Sequence, residues 1–158
     1  MAIVASFVHV TYAQNEKEER QAAKKLLADS LINLQNFDFV ARAVLPLRGV
    51  NRQLTSIYDI TVSKDSVVSD LPYFGRAYSV PYNSIDGGFK FISTKFEYTK
   101  TPAKKDGWNI IIKPKDYTEV QQLSFRIFEN GSASLSIISV NREPISFQGF
   151  IRGRKQRK

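Results

Sequence analysis

The stretch Val120–Val140, VQQLSFRIFENGSASLSIISV, carries the clearest structural signal in this chain. Leu123, Phe125 and Ile127 alternate with other residues, which is the two-residue period of a β-strand with one buried face. The Asn130-Gly131 pair that follows is the strongest short signal for a hairpin turn, because both residues tolerate positive φ. The stretch therefore predicts an antiparallel hairpin with its apolar residues on one face.

Segments on both sides of this hairpin show the same period. The predicted strands cover residues 37–45, 57–62, 66–69, 89–99, 108–112, 120–128, 134–140 and 145–151. In the predicted strand at residues 89–99, a change of apolar face between Phe91 and Phe96 predicts a β-bulge. Short connections require antiparallel neighbours, and such a meander hides its edges by closing into a barrel or folding into a sandwich. We expect a mainly-β fold, an antiparallel barrel of roughly eight strands over residues 37–151.

One helix is predicted before the strands, over residues 14–36. Its apolar residues recur at helical spacing, which indicates a stripe that packs on the barrel. The residues assigned to this stripe are Ala23, Leu26, Leu27, Leu31, Ile32 and Leu34.

Residues 1–13 resemble the back half of a secretory signal peptide. Ala2–Val10 is largely apolar, and the small residues Thr11 and Ala13 occupy positions −3 and −1 of a cleavage site. The alternative is an N-terminal β-strand. The apolar run is too short to span a bilayer. We therefore expect an exported protein, periplasmic or extracellular, with no transmembrane segment.

The composition excludes several kinds of chemistry. The chain has 158 residues and no cysteine, so disulfides, thiolate nucleophiles and cysteine-ligated metals are excluded. The single histidine, His9, lies in the predicted signal peptide. Without it, neither a Ser-His-Asp triad nor a histidine-ligated zinc site is available. We expect no catalysis, no metal and no cofactor.

The positive charge is concentrated at the C-terminus. The net charge is +8, and the basic tail, residues 152–158, contributes five positive charges, which leaves +3 on the rest. This tail is expected to be solvated or to touch anionic surfaces. Aromatic residues interleaved with lysines over Phe89–Trp108 superficially fit a single-stranded nucleic-acid platform. An apolar core face with lysines outside explains the same pattern, so we expect no nucleic-acid partner.

The segment Leu71–Tyr78, LPYFGRAY, is the best candidate for a ligand-binding site, because it combines aromatic rings with one guanidinium. The candidate ligand-binding residues are Tyr73, Phe74, Arg76, Tyr78 and Tyr82. In the alternative interpretation, the aromatics cap one barrel end. Arg76 then stacks over a ring or pairs with an acid such as Asp70 or Asp86.

Four sequence runs resemble a family of exported bacterial proteins, found mainly in Bacteroides-type bacteria and defined only as a domain of unknown function. They are Leu71–Tyr78, Gly87-Gly88-Phe89, Phe96-Glu97-Tyr98 and Gly107-Trp108. The resemblance covers residues 36–152. It implies an envelope location and a single lipocalin-like β-barrel domain. It implies no activity, and no catalytic residue carries over.

Two functions remain open from the sequence. Small barrels either fill with side chains or hold one small ligand. The first hypothesis is a non-catalytic exported binding protein for a small, partly apolar or aromatic ligand. The alternative is a structural or protein-interaction module of the cell envelope with a filled barrel. A cavity of several hundred Å³ favours the first, and a core filled by phenylalanines and the helix favours the second.

Overall fold

The computed structural model describes residues 8–78 and 87–154, with side chains from Asn15 onward. A single described helix, α1 (Val8–Asn33), precedes nine strands. The strands are β1 (Phe37–Pro46), β2 (Arg52–Val62), β3 (Val67–Leu71), β4 (Phe89–Ser93), β5 (Phe96–Pro102), β6 (Trp108–Pro114), β7 (Val120–Ile127), β8 (Ser132–Ser139) and β9 (Ile145–Gly153). All pairs are antiparallel, in the order β4-β3-β2-β1-β9-β8-β7-β6-β5. The predicted mainly-β fold, a helix on an antiparallel barrel, is confirmed.

The sheet curls into a nearly closed barrel. β8 and β9 lie between β7 and β1, which places β7 and β1 about 14 Å apart along the sheet. Nevertheless, the ring centroid of Phe125 on β7 lies 6.1 Å from that of Phe37 and 5.6 Å from that of Phe39, both on β1. These edge-to-face contacts therefore cross the interior of the barrel.

Side chains fill this interior. Phe37, Phe39 and Phe147 are fully buried, and Phe125 is 2% exposed. The residues packed around them are aliphatic and equally inaccessible. They include Ile60, Val62, Ile110, Leu123, Leu135 and Ile137. The predicted hairpin forms β7 and β8, and Gly131 in its turn has φ of 86°.

The structure has nine strands because residues 89–99 form two strands and not one bulged strand. The carboxylate of Asp116 accepts hydrogen bonds from the hydroxyl of Ser93 (2.5 Å) and the amides of Thr94 (2.8 Å) and Lys95 (3.1 Å). These bonds, that from Ser93 foremost, hold the pKa of Asp116 well below its usual range. The bulge prediction was wrong because the group that fixes this corner lies more than 20 residues away in sequence.

Among the α1 residues whose side chains are described, Asn15 onward, those buried against the barrel lie in the C-terminal turns. Ala28 and Ile32 are buried, whereas Leu26 is 72% exposed and Leu27 59% exposed. The predicted stripe therefore assigned the wrong face of the helix to the barrel. Of the residues in the predicted stripe, only Ile32 and the partly buried Leu31 pack on the barrel. No helix within the described ranges is long and apolar enough to cross a membrane.

Polar contacts hold this end of α1 on the sheet. The hydroxyl of Tyr98 donates to the carbonyl of Ile32 at 3.1 Å, and Lys100 Nζ lies 3.0 Å from Asp29 Oδ1. Nearer the middle of the helix, Lys25 Nζ lies 2.5 Å from Glu129 Oε1. These contacts fix the helix against β5 and the β7–β8 turn.

The ends of the described chain differ from the predicted segment boundaries. α1 begins at Val8, inside the segment predicted as a signal peptide, and residues 1–7 lie outside the described residues. At the other end, Arg152 belongs to β9, where its Nε lies 3.5 Å from the buried carboxylate of Asp38. Residues 155–158 of the basic tail lie outside the described residues.

Replacing Gly149 by alanine should destabilise the barrel. The added Cβ would overlap the carbonyl oxygen of Val40 on β1, a backbone atom that cannot move without disturbing the β1–β9 pairing. We expect Gly149→Ala to lower the free energy of unfolding by about 1–3 kcal/mol in urea titrations. Gly153→Ala is the matched control, since its Cβ would make only an ordinary contact, 3.7 Å from Leu31. Equal effects of the two variants would contradict this account.

Asp116 should make stability depend on pH. Because its pKa is lower in the folded than in the unfolded protein, the carboxylate stabilises the fold above about pH 4, and this contribution is lost as the pH falls. We expect Asp116→Asn to have a lower Tm than the wild type at pH 7, with a difference that narrows from about pH 4 to about pH 2.

The control for this measurement is Asp65→Asn, which changes an exposed carboxylate in the β2–β3 turn. A difference in Tm between Asp116→Asn and the wild type that stays constant across this pH range would contradict the proposed role.

Candidate functional site

The segment Leu71–Tyr78 lies across one end of the barrel, against the β8–β9 turn. Ala77 forms an isolated antiparallel bridge with Arg142. The amide of Tyr78 donates to the carbonyl of Asn141 at 2.7 Å, and the amide of Glu143 donates to the carbonyl of Arg76 at 3.1 Å. Backbone hydrogen bonds therefore fix this segment to the turn.

Two of the predicted site residues, Tyr73 and Phe74, are used in packing. The hydroxyl of Tyr73 donates to the carbonyl of Arg76 at 2.6 Å, and its ring meets that of Phe89 edge-on at 5.5 Å. Burial raises the pKa of this hydroxyl above its usual value. Phe74 lies under the guanidinium of Arg52, at 5.1 Å.

The other predicted site residues do not converge with them. The side chains of Arg76 and Tyr78 are exposed, and Arg76 is held through its backbone carbonyl. Asp70, a predicted partner of Arg76, lies 3.7 Å from Lys90. Tyr82 and the other predicted partner, Asp86, lie outside the described residues.

The buried guanidinium at this end belongs to Arg142. The residue is 4% exposed, and its guanidinium lies beside the edge-on pair of rings formed by Tyr73 (5.1 Å) and Phe89 (5.0 Å). Its Nε lies 2.7 Å from Glu119 Oε1, and its Nη1 donates to the carbonyl of Gly87. Residues 141–144 are predicted only as the short connection between the strands at 134–140 and 145–151. No local signal separates a buried turn arginine from a solvated one, because its partners come from distant segments.

Tyr117, which is stacked on Phe91, holds the carboxylate of Glu119 in place. The hydroxyl of Tyr117 donates to Glu119 Oε2 at 2.6 Å, and its ring stacks on Phe91 with centroids 4.4 Å apart and planes 10° apart. Burial, followed by the bond to Glu119, raises the pKa of Tyr117 to about 12. We call the group of five residues in contact here the Arg142 cluster. It comprises Arg142, Glu119, Tyr117, Tyr73 and Phe89.

The Arg142 cluster can close the barrel end, but it offers little to a ligand. The guanidinium packs against the rings of Tyr73 and Phe89, and its nitrogens face a carboxylate and the carbonyls of Gly87 and Gly88. Among the described residues there is no group of three or more carboxylates or histidines placed to hold a metal ion.

Open concave surfaces occur instead on the outside of the barrel. One groove, of about 580 Å³, lies where β6 and β7 meet the end of β8. Its lining includes Lys113, Tyr117, Gln122, Ile138 and Val140. A second, of about 400 Å³, lies over the middle of β6–β9. Its lining includes Thr101, Asn109, Ser124, Arg126 and Ser136.

Removing the charge of Arg142 should be costly. Arg142→Met leaves the carboxylate of Glu119 buried without its cation, so we expect a loss of about 3–5 kcal/mol in the free energy of unfolding. The exposed arginine predicted for this site is the control, and Arg76→Met should change stability by no more than about 0.5 kcal/mol.

The double variant Arg142→Met/Glu119→Gln should recover part of the loss, because it removes both charges. A double variant that loses the sum of the two single effects would show that the ion pair does not couple these residues.

Comparison with known proteins places the chain in a family. The model of a family described as Domain of unknown function (DUF4251) matches residues 17–151. The crystal structure of a DUF4251 family protein from Bacteroides eggerthii DSM 20697 superposes with a TM-score of 0.60 at 15% identity, covering 84% of this chain and 91% of that chain. At this identity the likeness shows the fold alone. A search of curated proteins found no match. The resemblance predicted from the Leu71–Tyr78 run is thus confirmed, and the chain belongs to the DUF4251 family.

Proposed function

We propose that this protein is a non-catalytic interaction module of the cell envelope whose barrel is filled by its own side chains. The observation that carries the proposal is the contact of Phe125 with Phe37 and Phe39 across the barrel. Their rings occupy the space that a ligand would take in a barrel of this size. Recognition would then use the outer surface.

The closed barrel ends support this proposal. Ala28 and Ile32 of α1 are buried at one end of β7 and β8, and the Arg142 cluster covers the opposite end. A small molecule entering from either end would have to displace a packed helix or break a buried ion pair. Both changes cost several kcal/mol, which a small ligand would have to supply.

The envelope part of the proposal comes from the sequence. The apolar run Ala2–Val10, followed by Thr11 and Ala13, has the pattern of a signal peptide. The absence of cysteine is compatible with an oxidising or a reducing compartment, so it does not bear on this choice.

A second candidate is the binding of a small, partly apolar ligand on the outer surface. One observation favours it. The groove of about 580 Å³ contains Ile138, 39% exposed, and Val140, 53% exposed, next to polar side chains. Such a ligand would lie outside the barrel and not at the candidate ligand-binding segment Leu71–Tyr78.

The proposal that side chains fill the barrel can be tested by creating a cavity inside it. Phe125→Ala should lower the free energy of unfolding by about 3–5 kcal/mol and leave an apolar cavity that takes up benzene. We therefore expect benzene to raise the Tm of Phe125→Ala but not that of the wild type. Phe128→Ala is the matched control, since Phe128 follows β7 directly and is 42% exposed.

Two results would overturn the filled barrel. One is a benzene-induced rise in the Tm of the wild type as large as that of Phe125→Ala. The other is a small molecule that stays bound in native mass spectrometry of wild-type protein purified from its own cells, and that is lost when an interior residue is replaced.

A further inference from the structure

We propose that the barrel end that carries the Arg142 cluster docks on the surface of an anionic lipid bilayer. The inference rests on the proposed interaction module and names the partner of that module. The envelope location proposed above would place such a bilayer next to the protein. The side chains concerned are exposed at this end and belong neither to the core nor to the Arg142 cluster.

Three chain segments meet around the β8–β9 turn at this end. They are residues 46–52, 71–78 and 139–145. β1 ends beside the start of β9, since Pro46 pairs with Ile145. In the connection that follows β1, Arg48 Nε lies 3.9 Å from Glu143 Oε1 in the turn. Backbone hydrogen bonds join the segment Leu71–Tyr78 to the same turn. The three segments are therefore neighbours in space.

Each of these segments exposes apolar side chains. In the β1–β2 connection, Leu47 is 63% exposed and Val50 is 77% exposed. Tyr78 is 73% exposed, and Val140, the first residue after β8, is exposed as well. We call these four the tip residues. Single exposed apolar residues are normal, whereas a group that converges from several segments marks an interaction site.

The exposed charges among the tip residues are positive. Arg48, Arg52 and Arg76 are all exposed. Glu143 is the only carboxylate in the three segments, and it is 5% exposed. The remaining arginine of these segments, Arg142, is buried against Glu119. The three segments thus present apolar side chains and guanidinium groups on one surface.

This combination suits a bilayer that contains anionic lipids. Aliphatic side chains gain free energy when they enter the boundary between headgroups and acyl chains. A tyrosine there buries its ring and keeps its hydroxyl in the wet layer. Guanidinium groups form paired hydrogen bonds with phosphates, and each basic residue near an anionic membrane adds to the attraction. Apolar contact and charge therefore act together at this end.

A second copy of the chain fits this surface less well. In a symmetric contact between two copies, the same patch meets itself. Arg48 and Arg76 of one copy would then lie close to the same arginines of the other, and like charges repel. An anionic bilayer has the opposite charge and does not meet this obstacle.

Small molecules and nucleic acids also fit less well. The grooves of about 580 and 400 Å³ lie on the side of the barrel, and only Val140 belongs both to their linings and to the tip residues. Single-stranded nucleic acid needs free aromatic faces for its bases. Here the guanidinium of Arg52 covers Phe74, and Tyr73 packs on Phe89. A fluid bilayer, by contrast, can take up side chains from three separate segments.

The test is co-sedimentation of the full chain with vesicles made of equal amounts of phosphatidylcholine and phosphatidylglycerol. We expect binding that is at least about tenfold weaker to vesicles of phosphatidylcholine alone. Leu47→Ser/Val50→Ser should also weaken binding at least about tenfold, although it leaves the charge unchanged. The matched control is Leu26→Ser/Leu27→Ser, which removes two exposed leucines from α1 and should bind like the wild type.

The charged part of the surface has its own pair of variants. Arg48→Gln/Arg76→Gln should weaken binding to the anionic vesicles at least about fivefold. Arg20→Gln/Lys24→Gln removes the same charge from exposed positions on α1, so it controls for the net charge of the protein. We expect this control to bind within about twofold of the wild type.

Three results contradict the proposal. The first is no binding of folded wild-type protein to the anionic vesicles. The second is unchanged binding of Leu47→Ser/Val50→Ser, because the basic tail and the net charge would then explain the attraction. The third is equally strong binding to soluble polyglutamate, which would point to an acidic protein surface as the partner. The benzene test of Phe125→Ala is independent of these outcomes, so the filled barrel is judged separately.

Discussion

The contact of Phe125 with Phe37 and Phe39 requires the sheet to curl into a barrel. The strands that carry these rings are separated by two others. The rings therefore meet only if the sheet curls until side chains on its inner face contact each other across the barrel. Burying each ring contributes about 1.5–3 kcal/mol, and edge-to-face geometry adds to this. Closure also removes most exposed strand edges, which would otherwise pair with other chains.

Closing the sheet leaves two open ends, and the chain covers them by different means. At one end, α1 buries Ala28 and Ile32, whereas its residues 15–27 are exposed. At the other end, Arg142 and Glu119 form a buried ion pair beside the rings of Tyr73 and Phe89. Such a pair adds little net stability over apolar side chains, but breaking it is costly. The segment Leu71–Tyr78 is held on the β8–β9 turn by backbone hydrogen bonds beside this pair.

A filled interior shifts the question of function to the surface. Side chains that point outward from β6–β9 are not needed for the core, so their types are free to serve recognition. Two grooves, of about 580 and 400 Å³, lie on this outer face. The proposed interaction module is thus a consequence of the alternation of inward and outward residues along each strand.

The strand periods, the hairpin at Asn130-Gly131, the antiparallel pairing and the family resemblance could all be predicted from the sequence. Period and turn chemistry act between residues close in the chain, so they can be read from it. The corner held by Asp116, the buried face of α1 and the burial of Arg142 in place of Arg76 became visible in the folded structure alone. These features depend on contacts between segments that are far apart in the sequence. Burial depends on which remote segments meet, and Tyr73 packs against a turn 70 residues away.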